Sequence, residues 1–307
     1  MSSPVQASLH QVAERPARDK LAGLHRLLGS MGSALVAFSG GADSAFLAFM
    51  AHQALGDQAL AVTADSASLA RSELRDAAGF AARFGLRHQV VPTSELEDEA
   101  YLRNSGDRCY FCKSALMRAL EAISSQTAGA TEILVGVNTD DLGDYRPGQQ
   151  AVRERGGRWP LVEVGLSKAE IRWLSRELGL PTWDKPAAAC LSSRIAYGVP
   201  VTPAALRRIE TSETALKEMG LAGRVRVRDQ GNDLARIEVD LDCLGLVMER
   251  RRDVVAALKN AGFVFVTLDL EGYQQGSHNL TLRRRPLPPP RAHAADDEHN
   301  AGRIVIP

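Results

Sequence analysis

The sequence predicts an α/β protein: a larger domain built on a parallel sheet, followed by a smaller C-terminal α+β domain. Two observations carry this. Up to about residue 200, short apolar runs bounded by turn residues alternate with helical patterns, which is the signature of βαβ units. Beyond that point the order becomes helix, two alternating strands around Gly231-Asn232, helix and strand. At 307 residues the chain has room for both. The expected division is residues 1–200, 201–282, and a disordered tail at 283–307, where Pro286, Pro288, Pro289 and Pro290 stand in a mixed-charge stretch.

Residues 8–29 carry Leu21, Leu24, Leu27 and Leu28 in a partly helical pattern that closes near Gly29. Ala34–Phe38 reads as a buried strand, Ser44–Leu55 as an apolar helix, and Leu60–Ala64 as a second strand. A helix over Ser68–Phe84 is expected to take Ser68 as its N-cap. His88–Val91 is a strand stopped by Pro92, Lys113–Ile123 a helix, and Ile133–Val137 a fourth strand. Ser167 and Glu170 form a capping box for a helix that ends at Gly179. In the second domain, Pro203–Met219 and Cys243–Ala261 read as helices, and Arg224–Arg228, Ala235–Val239 and Phe263–Leu268 as strands.

The 37 basic and 37 acidic residues cancel, which argues against a nucleic-acid partner held by backbone charge. No apolar run is long enough for a membrane span, and Met1–Lys20 has no apolar signal core, so a cytoplasmic setting is expected. In such a setting the 4 cysteines suit metal ligation, nucleophilic chemistry or packing better than disulfides.

The first strand runs directly into Ser39-Gly40-Gly41-Ala42-Asp43-Ser44, and a helix starts there. Two glycines let the backbone turn tightly and aim N–H groups at an anion, and the helix N-terminus adds its dipole. Ser39 and Ser44 supply hydroxyls, and Asp43 can hold Mg²⁺ or orient the loop. The Lys of a Walker A loop is missing. The motif S-G-G-x-D-S resembles that of the PP-loop ATP pyrophosphatases, so the larger domain is expected to be a Rossmann-like PP-loop domain. The resemblance implies a loop that grips the β- and γ-phosphates of ATP while a nucleophile attacks the α-phosphate. It also implies an adenine and ribose pocket at Val62–Ser66, including Thr63, Asp65 and Ser66.

Three further motifs narrow this: Asn104-x-x-x-Arg108-Cys109-Tyr110-Phe111-Cys112-Lys113, the Gly136–Gly148 stretch with Asp140, Asp141 and Asp144, and Lys185–Gly198 around Cys190. With Arg226-Val227-Arg228 and Ala235–Glu238 they resemble the LarE family over about residues 15–275. That resemblance implies adenylation of the carboxylates of a pyridinium-3,5-biscarboxylic acid mononucleotide, then displacement of AMP by sulfur to give thiocarboxylates for the nickel-pincer nucleotide. A thiolate or sulfide is the natural attacker at neutral pH. The family resemblance implies that Cys190 is the sulfur-bearing position, sacrificed to dehydroalanine in the best-known form. Cys109 and Cys112 open another route: with Cys190 they give three thiolates, enough for a [4Fe–4S] cluster with one iron left open. A zinc site, a redox C-x-x-C pair, or two non-ligand cysteines beside a sacrificial Cys190 are the alternatives. Cys243, among Leu241, Leu244 and Leu246, reads as packing.

Asp140, Asp141 and Asp144 follow the fourth strand at the ligand edge of the sheet, with Asp141 the leading candidate to hold Mg²⁺ or orient substrate; a solvated turn is the plainer reading. Arg146 is expected to meet the anionic substrate. Lys168 stands where a cation opposes a helix dipole, which hints at contact with pyrophosphate, as Lys185 could also make. Arg194, Arg226 and Arg228 are candidate clamps for phosphate and carboxylate, with Arg226 and Arg228 on one strand face and Val225 and Val227 on the other. Glu238 is a further metal-ligand candidate. The resemblance also implies a homo-oligomer, and a sulfur donor is a candidate partner. Rival readings are a tRNA thiolase, which zero net charge and the lack of an RNA-binding module disfavour, and an ATP-binding sensor that would need no cysteines.

Overall fold

The computed structural model describes residues 4–126, 131–142, 147–186 and 189–276. Four parallel strands form the first sheet: β1 (Ser33–Ala37), β2 (Ala59–Asp65), β3 (His88–Pro92) and β4 (Thr131–Val135), in the order β3-β2-β1-β4. Central β1 is buried along its whole length. Its Ala34 and Val36 join a cluster with Phe38, Phe46, Leu47, Leu24 and Ile171. Leu35 and Ala37, pointing the other way, pack with Leu116, Met117, Leu120 and Trp159. A strand apolar from Ala34 to Ala37 is what burial on both faces requires.

Helices α1 (Pro4–Gly29), α2 (Ala42–Leu55), α3 (Arg71–Arg83), α4 (Glu99–Leu102), α5 (Arg108–Ser124), α6 (Pro147–Glu154), α7 (Pro160–Glu163) and α8 (Lys168–Glu177) surround this sheet. Chain order reverses at β1, with β2 on one side and β4 on the other, so the crevice at their C-terminal ends is the topological switch point.

The second sheet is β5 (Val225–Asp229), β6 (Leu234–Val239) and β7 (Phe265–Leu268), with β5 antiparallel and β7 parallel to β6. The β5–β6 turn bends through Gly231, Asn232 and Asp233, all at positive φ, as the Gly-Asn signal predicts. Helices α9 (Pro203–Glu218), α10 (Leu244–Glu249) and α11 (Arg251–Asn260) complete this part. Its core takes in Tyr101, Leu191 and Ile195 from the earlier sequence beside Leu206, Ile209, Val225, Val227 and Ile237.

Three expectations need correction. Ser68 does not cap α3, which starts at Arg71 with Ala70 in the cap position. The Ser68 hydroxyl bonds instead to the Tyr101 hydroxyl, and its N–H donates to Ser66 Oγ. The helix expected over Cys243–Ala261 breaks at Arg250 into α10 and α11. The helix expected from Lys113 begins at Arg108, which puts Cys109 and Cys112 in its first turns. The proposed tail at 283–307, Asp144 and Arg146 lie outside the described residues. Among the described residues no helix is long and apolar enough to cross a membrane.

Phe46 lies fully buried on α2 against the central sheet. Phe46→Ala is expected to cost about 3–5 kcal/mol in urea unfolding; a loss below about 1 kcal/mol would contradict the packing of α2 described above.

Candidate active site

The loop after β1 turns through Gly40 at φ +72°, where an added Cβ would sit 3.1 Å from Ala77 Cβ on α3. Gly41 is the N-cap of α2 and has no side chain over the helix end, so the first N–H groups of α2 point into the crevice. Ser44 Oγ stabilises the loop from inside: it donates to Gly41 O (3.1 Å), lies 3.1 Å from Ser39 Oγ and accepts from Ser39 N (3.2 Å). Gly136, just after β4, faces this loop so closely that a Cβ would lie 2.9 Å from Ser44 N and 3.0 Å from Ser44 Cα. Sequence reasoning quoted Gly136 in a motif but gave it no role.

Lys168 reaches across the crevice, with Nζ 2.5 Å from Asp43 Oδ2. Asp43 Oδ1 is buried and, among the described residues, has no hydrogen-bond partner. A buried, half-satisfied carboxylate in an anion-binding loop fits a divalent cation bound with its phosphate. Asp140 and Asp141 make a turn at the same edge. Asn138 accepts from Asp140 N (2.9 Å), Asp141 Oδ2 accepts from Asn138 N (3.3 Å), and Asp140 Oδ2 accepts from Lys168 N (3.0 Å). Asp140 therefore accepts the first N–H of α8, the helix whose first residue reaches Asp43.

The residues at the C-terminal end of β2 are held by partners from neighbouring segments. Thr63 is buried, its hydroxyl donating to Phe38 O (2.8 Å) and lying 2.8 Å from His88 Nε2. Asp65 pairs with Arg71 at 2.5 Å. Ser66 donates to buried Glu95, a group sequence reasoning missed. Lys185 pairs with Glu73 (2.8 Å) and Asp76 (3.4 Å), so it belongs to α3 and not to the phosphate loop.

Cys190 precedes a short 3-10 turn, Leu191–Arg194, stitched to its surroundings by buried guanidiniums. Arg194 forms a two-pronged pair with Glu213 (2.9 and 3.2 Å) and donates to the Ala189 and Cys190 carbonyls. Arg108 donates to Ser192 O (2.8 Å) and to Asn104 Oδ1. Asn104, held at φ +54°, donates to the carbonyls of Ile195, Ala196 and Val199. The C-x-x-C helix and the Cys190 turn are thus pinned together by two side chains of one motif.

Burial by itself would push the Cys190 thiol up. The Arg108 guanidinium, the Ser192 hydroxyl at 3.1 Å, Arg194 and the Ser193 N–H outweigh it and hold the thiol below its ordinary value. Cys109 moves the other way, through burial and the nearby Cys190. Burial pushes Cys112 up to about 12, with Cys190 and Cys109 acting in the same sense. Each of the three thiols lies in the field of another, yet among the described residues no three His, Cys, Asp or Glu side chains are grouped to hold a metal ion. Cys243 is half-buried at the rim of the second core, 3.4 Å from Ala222 O.

The strand alternation in β5 is as predicted: Val225 and Val227 are buried in the core, Arg226 and Arg228 lie opposite. Arg228 is itself buried on Glu238 (2.7 and 3.0 Å) and donates to Ser193 O (3.0 Å). Glu238 also takes Arg236 (2.9 Å), so this carboxylate is committed to two guanidiniums.

A parallel sheet with a glycine loop and a half-satisfied aspartate at its switch point is the arrangement of a PP-loop domain. Residues 26–139 match a family model described as NAD synthase. The chain is 45% identical over 267 residues to an uncharacterized protein of Synechocystis, covering 86% of this chain and 98% of that one. It is 36% identical over 253 residues to the pyridinium-3,5-bisthiocarboxylic acid mononucleotide synthase of Lactiplantibacillus plantarum, covering 82% and 91%. An uncharacterized protein of Methanocaldococcus jannaschii is 26% identical over 240 residues, covering 78% and 90%. The chain belongs to the LarE family, an enzyme family of PP-loop fold.

Gly136→Ala forces a methyl group into the backbone at Ser44 and is expected to weaken ATP binding at least about tenfold in calorimetric titration. Gly245→Ala, where nothing stands within 4 Å, should leave it unchanged; equal effects would remove the argument from crowding. Metal-free protein alkylated with iodoacetamide between about pH 6 and 9 should label Cys190 first and Cys112 last, read by peptide mass spectrometry. Arg108→Gln should slow Cys190 labelling at the acid end of that range, because its thiolate loses a counter-charge; an unchanged profile would count against that assignment.

Proposed function

We propose that this chain is an ATP-dependent sulfur transferase that adenylates the carboxylates of pyridinium-3,5-biscarboxylic acid mononucleotide and converts them to thiocarboxylates. The observation that carries it is a phosphate loop after β1 beside a Cys190 turn that is tied to the segment after neighbouring β2, where Leu191 N–H donates to Ser68 O (2.8 Å).

The N–H groups of the loop and of α2 hold the β- and γ-phosphates, and Asp43 Oδ1 takes Mg²⁺. Lys168 and Asp141 stand at the same edge to orient pyrophosphate and substrate. A substrate carboxylate oxygen forms a bond to the α-phosphorus, the α–β bridge breaks, and pyrophosphate leaves. A sulfur nucleophile then bonds to the acyl carbon and AMP departs with the C–O bonding pair. The charge of Arg108 and Arg194 favours the thiolate form of Cys190 for that attack.

For repeated turnover, Cys109, Cys112 and Cys190 would have to draw together to hold a [4Fe–4S] cluster, and Arg108 would then offset part of its negative charge. When bound, such a cluster supplies one iron without a protein thiolate, free to carry an extra sulfide. A second reading, direct donation of the Cys190 sulfur, is favoured by one fact: of these three thiols only Cys190 is lowered. Self-association is proposed as well, supported by the exposed Val264, Phe265 and Leu270 around edge strand β7.

With ATP and the biscarboxylic mononucleotide, Cys190→Ala should still release pyrophosphate while forming no thiocarboxylate. No pyrophosphate from the unaltered protein would sink the adenylation reading. Intact-protein mass spectrometry after turnover separates the two sulfur routes: loss of one H₂S equivalent means donation by Cys190, whereas unchanged mass with several products per chain means an external supply.

A further inference from the structure

The three arginines near the Cys190 turn differ in what neutralises them. Arg194 is paired with Glu213 and Arg228 with Glu238. Arg226 forms no ion pair among the described residues; its Nη1 donates only to the adjacent Val225 carbonyl (2.9 Å). Burial, then the like charge of Arg194, hold it below the ordinary guanidinium value; Glu213 acts against them, and Arg228 adds less in the same sense as Arg194. A partly buried cation without a counter-ion suits an incoming anion.

What fixes Arg226 is an aromatic ring. Its guanidinium carbon lies 5.4 Å from the centre of the Tyr273 ring, and that of Arg224 lies 4.8 Å from the same ring. Arg224 is anchored on Asp240 through Nε (2.8 Å) and its own N–H (2.9 Å). The Tyr273 backbone is anchored too, donating to Val239 O at 2.8 Å. Gly272 makes this possible: at φ +69°, a Cβ there would lie 2.9 Å from both Leu241 Cδ2 and Val239 O. The turn that presents Tyr273 therefore excludes a side chain at the preceding residue.

We propose that Tyr273, which lies in none of the sequence motifs, is a positioning residue that holds Arg226 ready for the phosphate or a carboxylate of the mononucleotide substrate. This rests on the substrate reading given above. An aromatic face orients a guanidinium without neutralising it, whereas a carboxylate would compete with the substrate anion. The ring thereby restrains the Arg226 side chain and leaves its charge available.

Calorimetric titration of the full chain with the biscarboxylic mononucleotide, and separately with ATP, tests this. Tyr273→Leu is expected to weaken mononucleotide binding about 2- to 30-fold, with ATP binding and kcat at saturating substrate unchanged. Tyr273→Phe, which keeps the ring, should bind like the unaltered protein. Arg226→Ala should weaken mononucleotide binding at least as much as Tyr273→Leu, and the double variant should be no weaker than Arg226→Ala alone, as expected if one residue acts through the other. Normal binding by Tyr273→Leu, additive losses in the double variant, or a parallel loss of ATP binding would each overturn the proposal. If Arg226→Ala itself binds normally, the anion site is wrong and the proposal falls with it; a weak Arg226→Ala beside a normal Tyr273→Leu removes the tyrosine alone.

Discussion

The site depends on how closely two backbones approach at the sheet's switch point. Gly136 leaves β4 against the first turn of α2, with space for a hydrogen and none for a methyl group. That approach brings the Asp140–Asp141 turn beside the phosphate loop and sets α8 at an angle from which Lys168 reaches Asp43. Ser44 completes the arrangement by tying the loop to itself, and among the described residues no side chain caps the start of α2. A preorganised anion cradle costs no reordering when the triphosphate arrives.

Buried guanidiniums organise the other end. Arg194 and Arg108 take main-chain carbonyls of the Cys190 turn as acceptors, so the turn is held by charge-assisted bonds where regular secondary structure is absent. The same two charges lower the Cys190 thiol, so holding the turn and activating its sulfur are one act. Glu213 sets Arg194 and also accepts from Val227 N (3.1 Å), which links the cysteine turn to β5. Removing either partner of such a pair leaves a buried charge uncompensated, which costs more than the pair itself contributes.

Much of this was legible in the residues. The parallel sheet, the phosphate loop, the Ser167–Glu170 capping box and the face alternation of β5 follow from local pattern and appear as expected. What pattern could not supply was partnership across the chain. Lys168 looked unfavourable at its helix start because Asp43, 125 residues earlier, was invisible to local reasoning. Arg194 and Arg228 read as substrate clamps because nothing in a linear sequence marks Glu213 and Glu238 as their counter-ions. Ser68 looked like a cap until Tyr101 claimed its hydroxyl. Asn104 and Tyr273 act through positive φ at Asn104 and at Gly272 beside the tyrosine, and one sequence does not display backbone angles.

The Asn104 clasp has a further consequence. Its amide spans three carbonyls of the segment that follows the Cys190 turn, while its own carbonyl side chain receives Arg108 from the C-x-x-C helix. The two strips of chain that carry the sulfur atoms are therefore joined by Asn104 together with Arg108. The amide has no charge to titrate, and the guanidinium stays protonated across the range in which thiols titrate. The enzyme can thus change the charge state of its sulfur without loosening the frame that aims it.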